Sequence, residues 1–207
     1  MTQPRFHRPI PLADLDSLGE KSDPVTRSET SHATAALLLG DADGHRDEAA
    51  TRRFIELADD IGLEVIAEMW SSAPAVSAPG ALWRLYALRE WIHTAPRETA
   101  QLFSEGQRRI TDGLGLSEIL AGVELPAGPD EVARAIDEIL AGAFRGDVVI
   151  ALLRAAAFVG MCAEGTADAE GTAGAEGSGD AETGTRLRQL AKDLQDAAVS
   201  HRRGGLD

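Results

Sequence analysis

Apolar positions recur at helical spacing through the middle of the chain. Phe54, Ala58, Ile61, Val65 and Met69 fall at intervals of 4, 3, 4 and 4, close to the 3.6-residue period of a helix that buries one stripe. They predict one helix, or two broken at Gly62, from about Arg46 to Trp70. Glu56, Asp60, Glu64 and Glu68 repeat every four residues off that stripe and predict a solvated acidic face.

The stretch Pro79 to Ile92, PGALWRLYALREWI, is apolar on nearly every helical face. Four of the nine aromatic residues in the chain, Trp70, Trp83, Tyr86 and Trp91, lie in it or just ahead of it. It predicts the central helix of an all-α domain, opened by Pro79, whose missing N–H costs nothing in the first turn. Pro96 opens the next helix by the same logic, with Leu102, Phe103 and Ile110 as contacts and Gly106 as an interruption. A turn-rich linker follows from Leu114. Pro129 then opens a helix with Val132, Ile136, Ile139 and Leu140 on one face. Asp147 is placed to cap a last core helix carrying Val148, Val149, Leu152, Ala156 and Val159. The short turn between these two predicts an antiparallel αα-hairpin.

The termini lack such periodicity. Residues 1–45 are rich in Pro, Ser and Thr and predict a mostly disordered N-terminal arm, with a short helix over Thr34 to Leu39. Within the arm, FHRPIPLADLDSL (Phe6 to Leu18) reads as a loosely packed segment or one that orders on a partner. Residues 163–180 are three tandem hexapeptides, AEGTAD, AEGTAG and AEGSGD. Residues 163–185 hold six acidic and no basic side chains and predict a flexible acidic Ala/Gly/Glu linker. Residues 186–207 predict a short basic amphipathic helix on that tether, with Leu187, Leu190, Leu194 and Ala197 on one face. Such a helix either binds an acidic partner or folds back on the acidic body. The expected architecture is therefore a helical-bundle-like domain of about five to six helices over residues 46–162, with a disordered arm and a tethered C-terminal helix.

Composition narrows the functions open to this chain. A net charge of −14 works against binding nucleic acid through its phosphates and against anionic lipid. It leaves basic or apolar patches of other proteins as partners. One cysteine, Cys162, leaves no internal disulfide framework and no Cys-based zinc site. No signal-peptide pattern and no run of 18 uninterrupted apolar residues occurs, so a cytoplasmic protein is expected.

The chemistry-bearing motifs are few. Helical bundles that hold metals use inward-projecting carboxylates with Glu-x-x-His pairs, and the acidic stripe here lies off the apolar face. DADGHRDE, Asp41 to Glu48, lacks the third oxygen ligand and the closing Glu of a calcium loop. Phosphate-binding glycine loops, the Gly-x-Ser-x-Gly elbow and His-Glu-x-x-His are missing too. We therefore expect no catalytic residues, no metal and no cofactor. His93 reads as a helix-end residue facing the negative end of the dipole, and Cys162 as an idle thiol. Arg84 and Arg89 stand out because they lie about 140° apart on a hydrophobic helix. They predict ion pairs with Glu64, Glu68 or Glu90, or an Arg–Trp–Tyr contact surface of the kind that anchors interfaces. The candidate contacts are Trp70, Trp83, Arg84, Tyr86, Arg89 and Trp91.

Over GLEVIAEMWSS and APGALWRLYALREWI the chain resembles a group of short actinobacterial helical proteins of unassigned function, across about residues 50–160. Some of these carry the label of DNA-directed RNA polymerase subunit beta. A true β subunit is several times longer and built of many mixed domains, so the label suits neither them nor this chain. The resemblance implies a helical fold in a bacterial cytoplasm and brings no activity or site residues.

Two functions remain. One is a non-enzymatic helical protein–protein interaction or regulatory protein. The alternative is a small-ligand-binding protein or enzyme with a pocket between helices near the Trp cluster.

Overall fold

The computed structural model describes residues 24–39, 47–113, 127–144, 146–166 and 177–204. Among these it is all-helical, with eight helices: α1 (Pro24–Leu39), α2 (Glu48–Ile61), α3 (Leu63–Trp70), α4 (Ala78–Thr94), α5 (Pro96–Gly113), α6 (Pro129–Leu140), α7 (Val148–Gly165) and α8 (Gly177–Gly204). The Phe6–Leu18 segment and the Leu114–Pro126 linker lie outside the described residues.

Local chemistry sets the helix starts. Asp47 Oδ1 accepts from the N–H groups of Ala49 and Ala50, both at 3.0 Å. Ser77 Oγ accepts from Gly80 N at 3.2 Å, and Asp147 Oδ1 accepts from Val149 N at 2.7 Å. Each cap satisfies donors that the first helical turn leaves unpaired. Gly62 separates α2 from α3 at φ 93, a conformation that carries no penalty only for glycine.

That break re-phases the apolar stripe. Phe54 and Ala58 are buried as expected, whereas Ile61 and Val65 are 42% and 51% exposed. In α3 the buried positions are Ile66, Ala67 and Trp70. A kink rotates the second helix about its axis, so one period cannot run through both. The acidic residues Glu56, Asp60, Glu64 and Glu68 are all exposed.

Helices α4 and α7 share the centre. Helix α4 packs against α1, α3, α5, α6 and α8, while α7 packs against α5, α6 and α8. Twelve of the 18 residues of α7 are buried, against eight of 17 in α4, so α7 is the more enclosed of the two. It is also the one described helix long and apolar enough to cross a membrane, and 67% of that stretch is buried within the fold.

Three expectations need correction. The region read as a disordered arm contains α1, whose Ala35, Leu38 and Leu39 are buried. Ser31 Oγ donates to Met69 O at 2.9 Å, and Thr34 Oγ1 receives the Trp70 indole N–H at 3.1 Å. The short helix expected over Thr34 to Leu39 is the last part of α1, and tertiary contacts hold the turns before it.

Gly106 does not interrupt α5. A Cβ there would lie 1.9 Å from Met161 O, and one on Gly165 would lie 2.1 Å from Leu102 O. The two glycines let the α5 and α7 backbones touch. Cys162 sits in the same seam, with its thiol 3.9 Å from Thr99 O.

The C-terminal helix packs on the core, and residues 167–176 of the expected linker lie outside the described residues. Residues 163–165 continue α7, and α8 begins at Gly177, inside the stretch read as a linker. Its Leu187, Ala191, Leu194, Ala197 and Ala198 are buried in the common core. Of the two fates expected for this segment, folding back occurs, and it is driven by an apolar face. Gly184 lets α8 approach the end of α7 closely: a Cβ there would lie 2.4 Å from Thr166 Oγ1.

Candidate functional site

The outer face of α4 gathers most of the candidate residues. Trp83 and Tyr86 are half-buried and stack on one another, with ring centroids 5.9 Å apart and planes inclined by 28°. Positions 83 and 86 lie one turn apart, so helix geometry alone brings the rings together. Trp91 is half-buried two turns further on, packed against the core. Trp70 is different: it is 0% exposed, and it is an internal anchor unable to touch a partner.

Both arginines are committed to ion pairs, with partners other than those expected except for Glu90. Arg84 Nε donates to Asp193 Oδ2 at 2.7 Å, and its Nη1 donates to Gly80 O at 3.0 Å. Arg89 Nε donates to Asp137 Oδ1, and its Nη1 donates to Glu90 Oε1 at 2.6 Å. Glu64 and Glu68 pair with neither. One arginine thus ties α4 to α8 and the other ties it to α6, the structural role among the two expected for them. Asp137 and Asp193 escaped sequence reasoning, because each is one acid among several on an amphipathic helix. No local signal shows which acid a distant arginine will meet.

The charges act on one another as this geometry requires. Burial works against the Arg89 cation, but the hydrogen bond and charge of Asp137, followed by those of Glu90, outweigh it and hold the pKa above its ordinary value. Burial, then the Glu90 and Glu64 carboxylates, raise the Tyr86 phenol above its ordinary 10.0, opposed only by Arg89. The Tyr86 hydroxyl is therefore protonated at neutral pH and serves as a hydrogen-bonding group. His93 Nε2 stands 3.7 Å from Asp137 Oδ2 on the exposed end of α4.

Two shallow clefts lie elsewhere. One of about 200 Å³ separates α6 from α7, floored by Val132, Ile136, Ile139 and Ala155, with the Arg154–Glu131 ion pair of 3.4 Å at its edge. The other, of about 300 Å³, lies between α1 and the turn after α3 and is lined by Arg27, Ser31, His32 and Pro74. Neither touches Trp83, Tyr86 or Trp91. Among the described residues no group of three or more His, Cys, Asp or Glu side chains is placed to hold a metal ion.

No family model, curated protein or solved structure matches the chain.

Proposed function

We propose that the chain is a non-enzymatic helical protein–protein interaction or regulatory protein of a bacterial cytoplasm, in keeping with its resemblance to the short actinobacterial proteins. The observation that carries this reading is the Trp83–Tyr86 stack, left half-open on a helix whose two arginines are fixed by internal ion pairs. Aromatic rings on a rigid helix contribute large contact area with little side-chain entropy to lose, and arginines held in place favour the same use. The contact set is Trp83, Tyr86 and Trp91, with Arg84 and Arg89 as the residues that fix the helix beneath them.

Affinity purification of the full chain under native conditions, followed by mass spectrometry, tests this. A partner retained by the wild type and lost from Trp83→Ala is the expected result. A chain that recovers no partner, while a metabolite panel raises its melting temperature, would transfer the function to ligand binding. Deleting residues 163–207 is not a usable control, because α8 is part of the core.

A further inference from the structure

The α4 face is bordered on one side by an acidic surface with no ion pair among the described residues. Helices α2 and α3 carry six acidic residues against two basic ones, Arg52 and Arg53. None of the six makes an ion pair among the described residues. Helix α3 packs directly on α4, and the Glu64 charge acts on the Tyr86 hydroxyl. The two arginines of α4 are engaged elsewhere: Arg84 by Asp193, and Arg89 by Asp137 and Glu90. Apolar surface accompanies the acid, since Ile61 and Val65 are the exposed large hydrophobics of α2 and α3.

We infer that the Trp83–Tyr86 stack and the Glu64 side of α3 together form a docking surface for a basic, amphipathic helix of a partner protein. The inference rests on the interaction reading above and names the partner's chemistry. Charge complementarity selects the occupant. A Lys or Arg of the incoming helix meets the Glu64 carboxylate and the open ring faces, where a cation is attracted to both. Apolar residues one turn away cover the part of the rings left in solvent. A second acidic surface, a phosphate backbone or an anionic bilayer is repelled by the same field.

The test uses the full chain and a fluorescent, helical peptide built of Lys and Leu, with a matched Glu/Leu peptide as control, titrated by anisotropy at physiological ionic strength. The Lys/Leu peptide should bind and the Glu/Leu peptide should not. Glu64→Lys, a change at an exposed position, should weaken binding roughly tenfold or more, as loss of a central contact does. Trp83→Ala should do the same, and circular dichroism shows whether that variant is folded. Glu105→Lys, on α5, should leave affinity unchanged. Equal losses from Glu64→Lys and Glu105→Lys would mean diffuse adsorption to an acidic protein and would overturn the inference, as would no binding at all. A dimer in sedimentation that Glu64→Lys dissociates would assign the face to a second copy and overturn it too. A native partner retained equally by wild type and Glu64→Lys would keep the interaction reading while removing this surface from it.

Discussion

The Arg84 guanidinium and the Asp193 carboxylate meet at 2.7 Å, 109 residues apart in the chain. This contact joins the Trp-rich helix to the last helix of the fold. Both side chains are mostly shielded, 20% and 17% exposed, so neither is simply solvated when the other is removed. Asp193→Ala should cost about 1.5–3 kcal/mol, the range for a hydrogen bond to a charged group. Urea unfolding of the single and double variants would give the coupling. If Asp193→Ala and the double variant with Arg84→Ala each lose only a few tenths, the pair is decorative.

Leu194 is 0% exposed and belongs to the core through α8. Leu194→Ala should lose about 2–5 kcal/mol, the range for a buried leucine, and Leu187→Ala should act in the same direction. A C-terminal helix docked only in passing would show neither effect in thermal unfolding.

The α5–α7 seam gives a matched set of glycine substitutions. Gly106→Ala and Gly165→Ala each push a methyl against backbone at 1.9 and 2.1 Å, and overpacking of this kind costs about 1–3 kcal/mol or more. Gly160→Ala, on the same helix α7, meets nothing within 4 Å. It should be neutral or stabilise by up to about 1 kcal/mol through helix propensity. Melting temperatures of the three variants would order accordingly, and a common gain would show that propensity, not contact, governs the seam.

Burial raises the Cys162 thiol from 9.0 to about 12. Above pH 9 the unfolded chain releases this proton and the folded chain keeps it, so stability falls as pH rises from about 9 to about 12. The slope contributed by this one group approaches ~1.4 kcal/mol per pH unit. Comparison of pH-dependent urea midpoints for wild type and Cys162→Ala isolates it from Tyr and Lys titration. In the native state the thiol should also resist alkylation at pH 8 and react once the chain unfolds; fast native labelling would contradict its burial.

Much of the fold was legible in the sequence because its cause is local. Pro79, Pro96 and Pro129 mark helix starts, Asp147 caps α7, and the faces of α6 and α7 follow the helical period. The same holds for the Trp83–Tyr86 stack, since residues one turn apart meet wherever a helix forms. What periodicity cannot carry is the phase after a break, and Gly62 therefore left Val65 exposed where a continuous stripe predicts it buried, while Ile61 is exposed as the last residue of α2. Nor does it carry the value of small residues. The Ala/Gly/Glu repeat looks unable to build a core when read as side chains to bury. In the folded protein Gly165 is useful because it has none, and the backbone contact of α7 with Leu102 on α5 depends on that.

The sequence by itself determined that the chain is helical, where most helices begin, and that its surface is acidic, because these follow from neighbours within a turn or two and from summed charge. Only the tertiary structure decided that α1 and α8 join the core, that Asp137 and Asp193 are the partners of Arg89 and Arg84, and that Trp70 is sealed while Trp83 and Tyr86 stay half-open. Each of those outcomes is a meeting of residues far apart in the chain. Packing many helices together selects such meetings, and no single helix encodes them.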